Sequence, residues 1–187
     1  MADFGSPAAN AAAPSAWVTR FAALAAPGCA VLDVAAGTGR HTRWFLDAGH
    51  PVTAVDRDVS SLADLNGHID AAIFAADLEA GRWPSGISEQ QFGCVVVTNY
   101  LHRPLLPWIV AAVAPHGVLL YETFAQGNER FGHPRNPEFL LRPGELLEAV
   151  RGELTVVAYE HGEIERDSGP AVVQRIAAVR GPARPLP

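Results

Sequence analysis

The chain has 187 residues, of which 49% are apolar, and its formal net charge is −6. This length fits one domain with a sizeable core and leaves little room for a second, while the apolar fraction excludes a disordered chain. The acidic balance argues against a nucleic-acid partner, because nucleic-acid binders usually present a basic face.

The start of the chain differs from a targeting segment. Residues 1–15 contain no Lys or Arg and no long apolar run, unlike a signal peptide. No later segment has the length of a transmembrane helix. We therefore expect a cytoplasmic protein without a membrane partner, beginning with a flexible tail over residues 1–13.

Apolar periodicity predicts helices and strands that alternate along most of the chain. The predicted helices are 14–26, 38–48, 59–66, 105–113 and 143–150, and the predicted strands are 29–34, 51–55, 71–75, 93–98, 117–124, 154–159 and 171–179. Such alternation implies a Rossmann-like, doubly wound α/β fold with a mostly parallel seven-stranded sheet and helices on both faces. We expect one domain over residues 14–180 and a flexible tail over 181–187.

The end of the sheet has a different pattern. The predicted strands 154–159 and 171–179 follow each other without a helix, separated by the charged stretch 160–170. Strands joined in this way pair antiparallel, so the sheet is expected to end in a hairpin. A nicotinamide-type Rossmann domain would continue with another helical crossover.

The two cysteines fit neither a metal site nor a disulfide framework. Cys29 and Cys94 precede or start predicted strands of a parallel sheet, and their spacing matches no metal-binding pattern. We expect both to be buried as small hydrophobic residues, and we expect no metal.

Residues 31–40 (VLDVAAGTGR) carry the strongest local signal. An apolar strand containing Asp33 breaks into a small-residue turn with Gly37 and Gly39, and a helix follows. Glycines let backbone N–H groups approach a ligand closely, and a helix start offers unpaired donors to a negative group. The segment predicts a site for a nucleotide-type ligand.

Two further acids close the next two predicted strands. Asp56 follows Asp33 by roughly 20 residues, the position at which an acid reaches ribose hydroxyls in a dinucleotide-type fold. Asp77 comes after the strand 71–75, and its carboxylate can accept a hydrogen bond from an exocyclic amine such as that of adenine.

Together these segments resemble the class I S-adenosylmethionine-dependent methyltransferases. Residues 31–40 match the family's glycine-rich motif, except that Ala35 stands where a glycine is usual. Residues 92–100 match its fourth-strand motif and 117–124 its fifth strand. Within the class, residues 140–147 and the small size of the chain are similar to the small bacterial tellurite-resistance-type methyltransferases.

The resemblance implies that S-adenosylmethionine is the cofactor. Asp33 would bind its amino-acid end or else cap the turn, Asp56 would bind the ribose, and Asp77 would bind the adenine. The full set of implied cofactor-binding residues is Asp33, Ala35, Gly37, Gly39, Asp56, Arg57, Asp77, Leu78 and Asn99.

The methyl acceptor is expected beside the loop that follows the fourth strand, because ligands of open α/β sheets lie at the carboxyl ends of the strands. Tyr100 would line the transfer point there. His102 is a candidate general base, since imidazole titrates near neutrality, and a structural role is its alternative. His133 lies in the long loop 125–137, which we interpret as a lid over the acceptor or else as an irregular connection.

These patterns predict a methyltransferase that transfers a methyl group to a small-molecule acceptor by in-line displacement. A protein that binds S-adenosylmethionine without catalysis and an NAD-type oxidoreductase are the alternatives. The sequence leaves the acceptor and the oligomeric state open.

Overall fold

The computed structural model describes residues 12–80, 83–87, 89–166, 168–183 and 185–186. The strands are β1 (Val31–Val34), β2 (Val52–Asp56), β3 (Ala71–Ala75), β4 (Phe92–Thr98), β5 (Val113–Phe124), β6 (Thr155–Ile164) and β7 (Ala171–Val179). The α-helices are α1 (Ala16–Phe21), α2 (Arg40–Asp47), α3 (Leu106–Ala111) and α4 (Glu145–Ala149). Short 3-10 helices lie at Ala22–Leu24, Ser60–Leu65, Arg103–Leu105, Asn128–Arg130 and Pro137–Phe139.

The strands form one seven-stranded sheet in the order β3-β2-β1-β4-β5-β7-β6. β1 to β5 run parallel, whereas β7 is antiparallel to both β5 and β6. This order confirms the predicted mostly parallel sheet with its C-terminal antiparallel hairpin. The hairpin folds back so that the last strand, β7, lies between β5 and β6.

The strand side chains divide between two cores because consecutive residues of a strand point to opposite faces. In β4, Cys94 and Val96 pack on the face that also holds Trp17 of α1. Val95 and Val97 pack on the other face, among residues of α3 and α4. Burial on both faces explains the near-continuous apolar run of this strand.

One predicted helix, 59–66, is wrong in type. Residues Ser60–Leu65 form a 3-10 helix, in which Leu62 and Leu65 are buried. A 3-10 helix has three residues per turn, so side chains three apart lie on one face. Over so short a segment, this spacing cannot be distinguished from that of an α-helix.

The predicted boundaries of two other elements also need correction. β6 extends to Ile164 rather than residue 159, although residues 160–164 include charged side chains. β6 is the edge strand of the sheet, where charged residues are common because one side faces solvent. β5 begins at Val113 rather than residue 117, directly after the end of α3.

The cysteines and the chain ends agree with the sequence-based expectations only in part. Cys94 is buried as expected, but Cys29 is only half-buried, and both thiols are free. The tail predicted over 1–13 lies outside the described residues except for residues 12 and 13, as do residues 184 and 187 of the second predicted tail. None of the described helices has the length and apolar composition that crossing a membrane requires.

Candidate active site

A cavity of about 650 Å³ opens at the carboxyl ends of β1, β2, β3 and β4. Its volume lies in the range of small-molecule sites, roughly 300–1,000 Å³. The lining residues at the ends of these strands and in the segments that follow them are Ala35, Ala36, Gly37, Thr38, Arg40, Asp56, Arg57, Ala76, Asp77, Leu78, Glu79, Thr98, Asn99 and Tyr100, and the lining is completed by Ala12 and Phe139. Across the described residues, no group of His, Cys, Asp and Glu side chains is arranged to hold a metal ion.

The structure brings most of the predicted site residues to this one cavity. Those that line it are Ala35, Gly37, Asp56, Arg57, Asp77, Leu78, Asn99 and Tyr100. Four others are not part of the lining. Asp33 and Gly39 are buried behind the turn, His102 is half-buried just before a 3-10 helix, and His133 is exposed on its loop.

Asp56 holds the glycine turn from the neighbouring strand. Its Oδ2 accepts a hydrogen bond from the Gly37 N–H at 2.8 Å, and its Oδ1 accepts one from the Asp58 N–H at 3.0 Å. Gly37 has a φ of +57°, and a Cβ built there meets no atom within 4 Å. The turn therefore needs glycine for its backbone conformation and leaves open space in front of it.

Gly39 is required for a different reason. A Cβ at this position would lie 2.2 Å from Cδ2 of Leu62, and its φ is +76°. The close packing between α2 and the segment after β2 thus excludes a side chain, which explains why Gly39 belongs to the motif without lining the cavity.

Ala35 adopts a left-handed backbone conformation with φ of 55°. The Cβ of a non-glycine residue is crowded there, at a cost of about 1–2 kcal/mol. The alanine that departs from the glycine-rich motif is therefore strained, and this residue lines the cavity.

We expect Ala35→Gly to raise the free energy of unfolding by roughly 1 kcal/mol, because glycine adopts this conformation without strain. Urea denaturation followed by circular dichroism measures the change. Ala36→Gly is the matched control, since Ala36 is buried and is not among the positive-φ residues. Ala36→Gly should lower the free energy of unfolding. If Ala35→Gly lowers it as well, the strain inferred at Ala35 is contradicted.

Asp33 is buried and joins β1 to the first turn of α2. Its Oδ2 accepts a hydrogen bond from the Thr42 hydroxyl at 2.6 Å, and only 1% of the residue is exposed. Burial raises the pKa of Asp33 to about 6, although the hydrogen bonds from Thr42 and the charge of Arg40 oppose the rise. Thr42 belongs to α2 rather than to the turn, so this contact decides between neither reading, and both the cofactor contact and the capping of the turn stay predictions.

The raised pKa predicts how stability depends on pH. Folded Asp33 holds its proton up to about pH 6, while the unfolded chain releases it near 3.8. The stabilisation from protonated, buried Asp33 is fully present below pH 3.8, and it is lost as the pH rises through about 6. The stability of the wild type relative to Asp33→Asn should therefore fall by about 1–3 kcal/mol between pH 4 and pH 7. Urea denaturation across this range measures the difference, and a constant difference would contradict it.

Solved structures share this fold, although sequence comparisons find no relative. No protein-family model matches the sequence, and a search of curated proteins finds no significant match. A 1,6-didemethyltoxoflavin N1-methyltransferase from Burkholderia thailandensis, with S-adenosylhomocysteine bound, aligns at a TM-score of 0.66 and 22% identity over 89% of this chain and 76% of its own. The chain has the fold of the S-adenosylmethionine-dependent methyltransferases.

Two further structures have this methyltransferase fold. The glycopeptide N-methyltransferase MtfA, complexed with S-adenosylhomocysteine, aligns at a TM-score of 0.60 and 21% identity over 96% of this chain and 95% of its own. TehB from Haemophilus influenzae aligns at a TM-score of 0.63 and 20% identity over 82% of this chain, which spans 58% of the length of TehB. The fold that the resemblance implied is thus confirmed.

Tyr100 reaches the cavity from the loop after β4 of the methyltransferase fold. Its hydroxyl oxygen is buried and has no hydrogen-bond partner among the described residues. Burial raises the pKa of Tyr100, and the nearby carboxylates of Glu79 and Asp77 raise it further. The hydroxyl therefore stays protonated at neutral pH, a state in which it can donate a hydrogen bond or accept one.

A buried polar network beside the cavity was not predicted from the sequence. His41 Nε2 accepts a hydrogen bond from the Ser15 N–H at 3.1 Å, and the Ser15 hydroxyl donates to Glu122 Oε1 at 3.0 Å. Burial, with a smaller contribution from Arg40, lowers the pKa of His41 to about 3, so the ring is neutral and can accept. This network fixes the segment before α1, and Ala12 of that segment lines the cavity.

Arg103 ties the acceptor-side loop to the segment before α4. It forms an ion pair with Glu145 through Nε at 2.7 Å and Nη2 at 3.0 Å, and it donates to the backbone oxygens of Glu138 and Leu140 at 2.7 and 2.9 Å. These bonds hold both neighbours of Phe139, the aromatic residue at the cavity. No motif or spacing signals this contact, because it joins residues about forty positions apart.

The loop predicted as a lid is anchored on both sides. Asn128 is buried, and its Oδ1 accepts a hydrogen bond from the Val172 N–H of β7 at 3.2 Å. Ala125 and Leu141 pair as a parallel bridge at the base of the loop. Deleting the loop would remove a partner of β7, so point substitutions of exposed residues such as His133 are the better test of a lid.

Proposed function

We propose that this chain is an S-adenosylmethionine-dependent methyltransferase acting on a small molecule. The observation that carries the proposal is the single cavity in which the Gly37 turn, Asp56, Asp77 and Asn99 meet, at the carboxyl ends of strands in a methyltransferase-type sheet. The structural neighbours support the same reaction class, since they include N-methyltransferases of 1,6-didemethyltoxoflavin and of a glycopeptide, both with S-adenosylhomocysteine bound.

The adenosine half of the cofactor fits the acidic end of the cavity. Asp56 accepts two backbone hydrogen bonds, and a carboxylate has about four acceptor sites, so two remain for ribose hydroxyls. Asp77 Oδ1 accepts a bond from the Glu79 N–H at 2.9 Å and has capacity for an amine of adenine. The buried side chain of Leu78 supplies an apolar surface for the base.

The amino-acid half fits the opposite end. Arg40 lines the cavity, and its guanidinium donates to the Ala13 carbonyl and to the Thr98 hydroxyl, at 3.3 and 3.5 Å. Long bonds to neutral acceptors leave this cation available for a carboxylate. Asn99, which follows β4 and also lines the cavity, offers its backbone carbonyl and amide side chain.

The chemistry needs positioning more than proton transfer. The cofactor would supply an electrophilic methyl group on a sulfonium sulfur. Holding the acceptor in line with that group removes positional entropy, a large share of the barrier. Under this proposal, residues at four strand ends hold the cofactor, and the protonated Tyr100 can donate or accept a hydrogen bond.

The NAD-type alternative requires a different sheet. Its strands would continue parallel after β5, whereas β7 is antiparallel to β5 here. The non-catalytic alternative shares the cavity and differs only in turnover, so experiment must separate it.

Calorimetric titration with S-adenosylmethionine, S-adenosylhomocysteine and NAD tests the cofactor. We expect micromolar binding of both sulfur compounds and none of NAD. Binding of NAD alone would favour the oxidoreductase, and binding of none would overturn the proposal. Formation of S-adenosylhomocysteine from S-adenosylmethionine with a small-molecule extract then tests catalysis, and binding without turnover would favour the non-catalytic protein.

A further inference from the structure

Among the described residues, one guanidinium beside the candidate active site has no carboxylate partner. Arg166 follows β6 and lies half-buried, with its Cζ 4.7 Å from the ring centroid of Phe124. Its Nη1 donates to Asn99 Oδ1 at 3.2 Å and its Nη2 to Ser168 Oγ at 3.4 Å, both neutral acceptors. In the part of the chain that the structure describes, it forms no ion pair.

The buried part of this cation has lost hydration, which is unfavourable unless an anion compensates for it. Burial lowers the pKa of Arg166. The negative charge of Glu122 opposes this lowering, and the positive charge of Arg40 adds to it. Glu122 does not neutralise the group by contact, because its two oxygens accept from the Ser15 hydroxyl at 3.0 Å and from Arg175 at 3.3 Å. Within the described part of the chain, no carboxylate therefore contacts this positive charge directly.

Two guanidinium groups, those of Arg40 and Arg166, lie at the end of β4 and contact neutral side chains there. Arg40 contacts the side chain of Thr98, and Arg166 contacts that of Asn99, the next residue. Like Arg166, Arg40 is without an ion pair among the described residues. S-adenosylmethionine has one carboxylate, which under the proposed function pairs with Arg40. One guanidinium then remains for another anion.

We propose that the methyl acceptor is a small carboxylate, recognised by Arg166 next to Asn99. The inference rests on the proposed function, since it assigns Arg40 to the cofactor. A guanidinium binds a carboxylate through two parallel hydrogen bonds and so fixes its orientation as well as its position. Asn99 lines the cavity with a φ of 55° and joins Arg166 to the place where the acceptor is expected.

Binding to the protein saturated with S-adenosylhomocysteine tests this site. The probes are acetate, benzoate and glutarate, each compared by calorimetry with its amide (acetamide, benzamide and glutaramide). We expect at least one acid to bind more tightly than its amide. Arg166→Gln should weaken that acid at least about tenfold, as expected for a lost bond to a charged group. Arg166→Lys should recover part of the affinity, because lysine keeps the charge without the fork.

Arg151→Gln is the matched control, because Arg151 is exposed after α4 and its loss changes the net charge equally. It should bind the acid like the wild type. S-adenosylhomocysteine affinity and the unfolding midpoint of Arg166→Gln should also stay unchanged, which separates anion binding from damage to the hairpin. No preference for any acid over its amide, or equal binding by Arg166→Gln, overturns the inference. Failure of the wild type to bind S-adenosylhomocysteine instead overturns the proposed function.

Discussion

Replacing Asp56 with alanine should weaken S-adenosylhomocysteine binding by about 1–3 kcal/mol, roughly fivefold to 150-fold in Kd. The substitution removes the acceptor proposed for the ribose hydroxyls. It also leaves the N–H groups of Gly37 and Asp58 without their acceptor, so the turn that faces the ligand loses its support. Calorimetric titration measures the loss of affinity.

Two variants separate these contributions. Asp56→Asn keeps one carbonyl oxygen for the Gly37 N–H but removes the charge, so its loss of affinity should be the smaller one. Asp58→Asn is the matched control, because Asp58 is exposed, lies outside the cavity lining and caps the Ser60 N–H at 3.0 Å. Unchanged affinity in Asp56→Ala would remove this carboxylate from the site.

Replacing Arg103 with methionine should lower the free energy of unfolding by about 3 kcal/mol, because it leaves a buried carboxylate without its main partner. Glu145 is 4% exposed, and after the change only Arg142 contacts its oxygens. The carbonyls of Glu138 and Leu140 also lose their donor. Urea denaturation at neutral pH measures the effect.

The ion pair also predicts a pH dependence. Burial raises the pKa of Glu145, but the hydrogen bonds from Arg103 and Arg142 outweigh it, and the pKa lies below the usual 4.5. The stabilisation that ionised Glu145 provides is fully present above its usual pKa, and it is lost as the pH falls through the lower pKa of the folded state. The difference between the wild type and Arg103→Met should therefore shrink in acid.

The pair of Arg130 and Glu163 provides a control for Arg103. Both side chains are more than half exposed, so Arg130→Met should cost less than about 1 kcal/mol. Equal losses of unfolding free energy in Arg103→Met and Arg130→Met would show that the burial of Glu145 beside Arg103 adds nothing to stability. In a double-mutant cycle, adding Glu145→Gln to Arg103→Met should recover stability, because no charge then remains unpaired.

The cavity joins two regions of opposite charge. Asp56, Asp77 and Glu79 lie at the ends of β2 and β3 and outnumber Arg57, the one cation of the described lining there, whereas Arg40 lies at the start of α2 against the end of β4. This division matches an amphoteric ligand that places hydroxyls and an amine toward the acids and a carboxylate toward the cation. It follows from the sheet order, which puts the end of β1 between those of β2 and β4.

The order of the residues along the chain was sufficient to predict the sheet. It was also sufficient to predict that the candidate site lies at the carboxyl ends of the parallel strands. Alternating apolar periods predict strands and crossovers, and parallel strands place their carboxyl ends at one edge. For this reason Gly37, Asp56, Asp77 and Asn99, each of which closely follows a strand or ends one, could be assigned to one site from their positions in the chain. The two consecutive strands at the end likewise predicted the hairpin, since no crossover lies between them.

Which side chains meet at that site depends instead on tertiary packing. The bonds of Ser15 to Glu122, of Arg103 to Glu145 and of Arg166 to Asn99 join residues far apart in the chain. Their formation depends on how loops pack over the sheet, and local periodicity carries no information about that packing. Burial has the same origin: the pKa of Asp33 and the strain at Ala35 arise from surrounding atoms and backbone geometry that other segments impose.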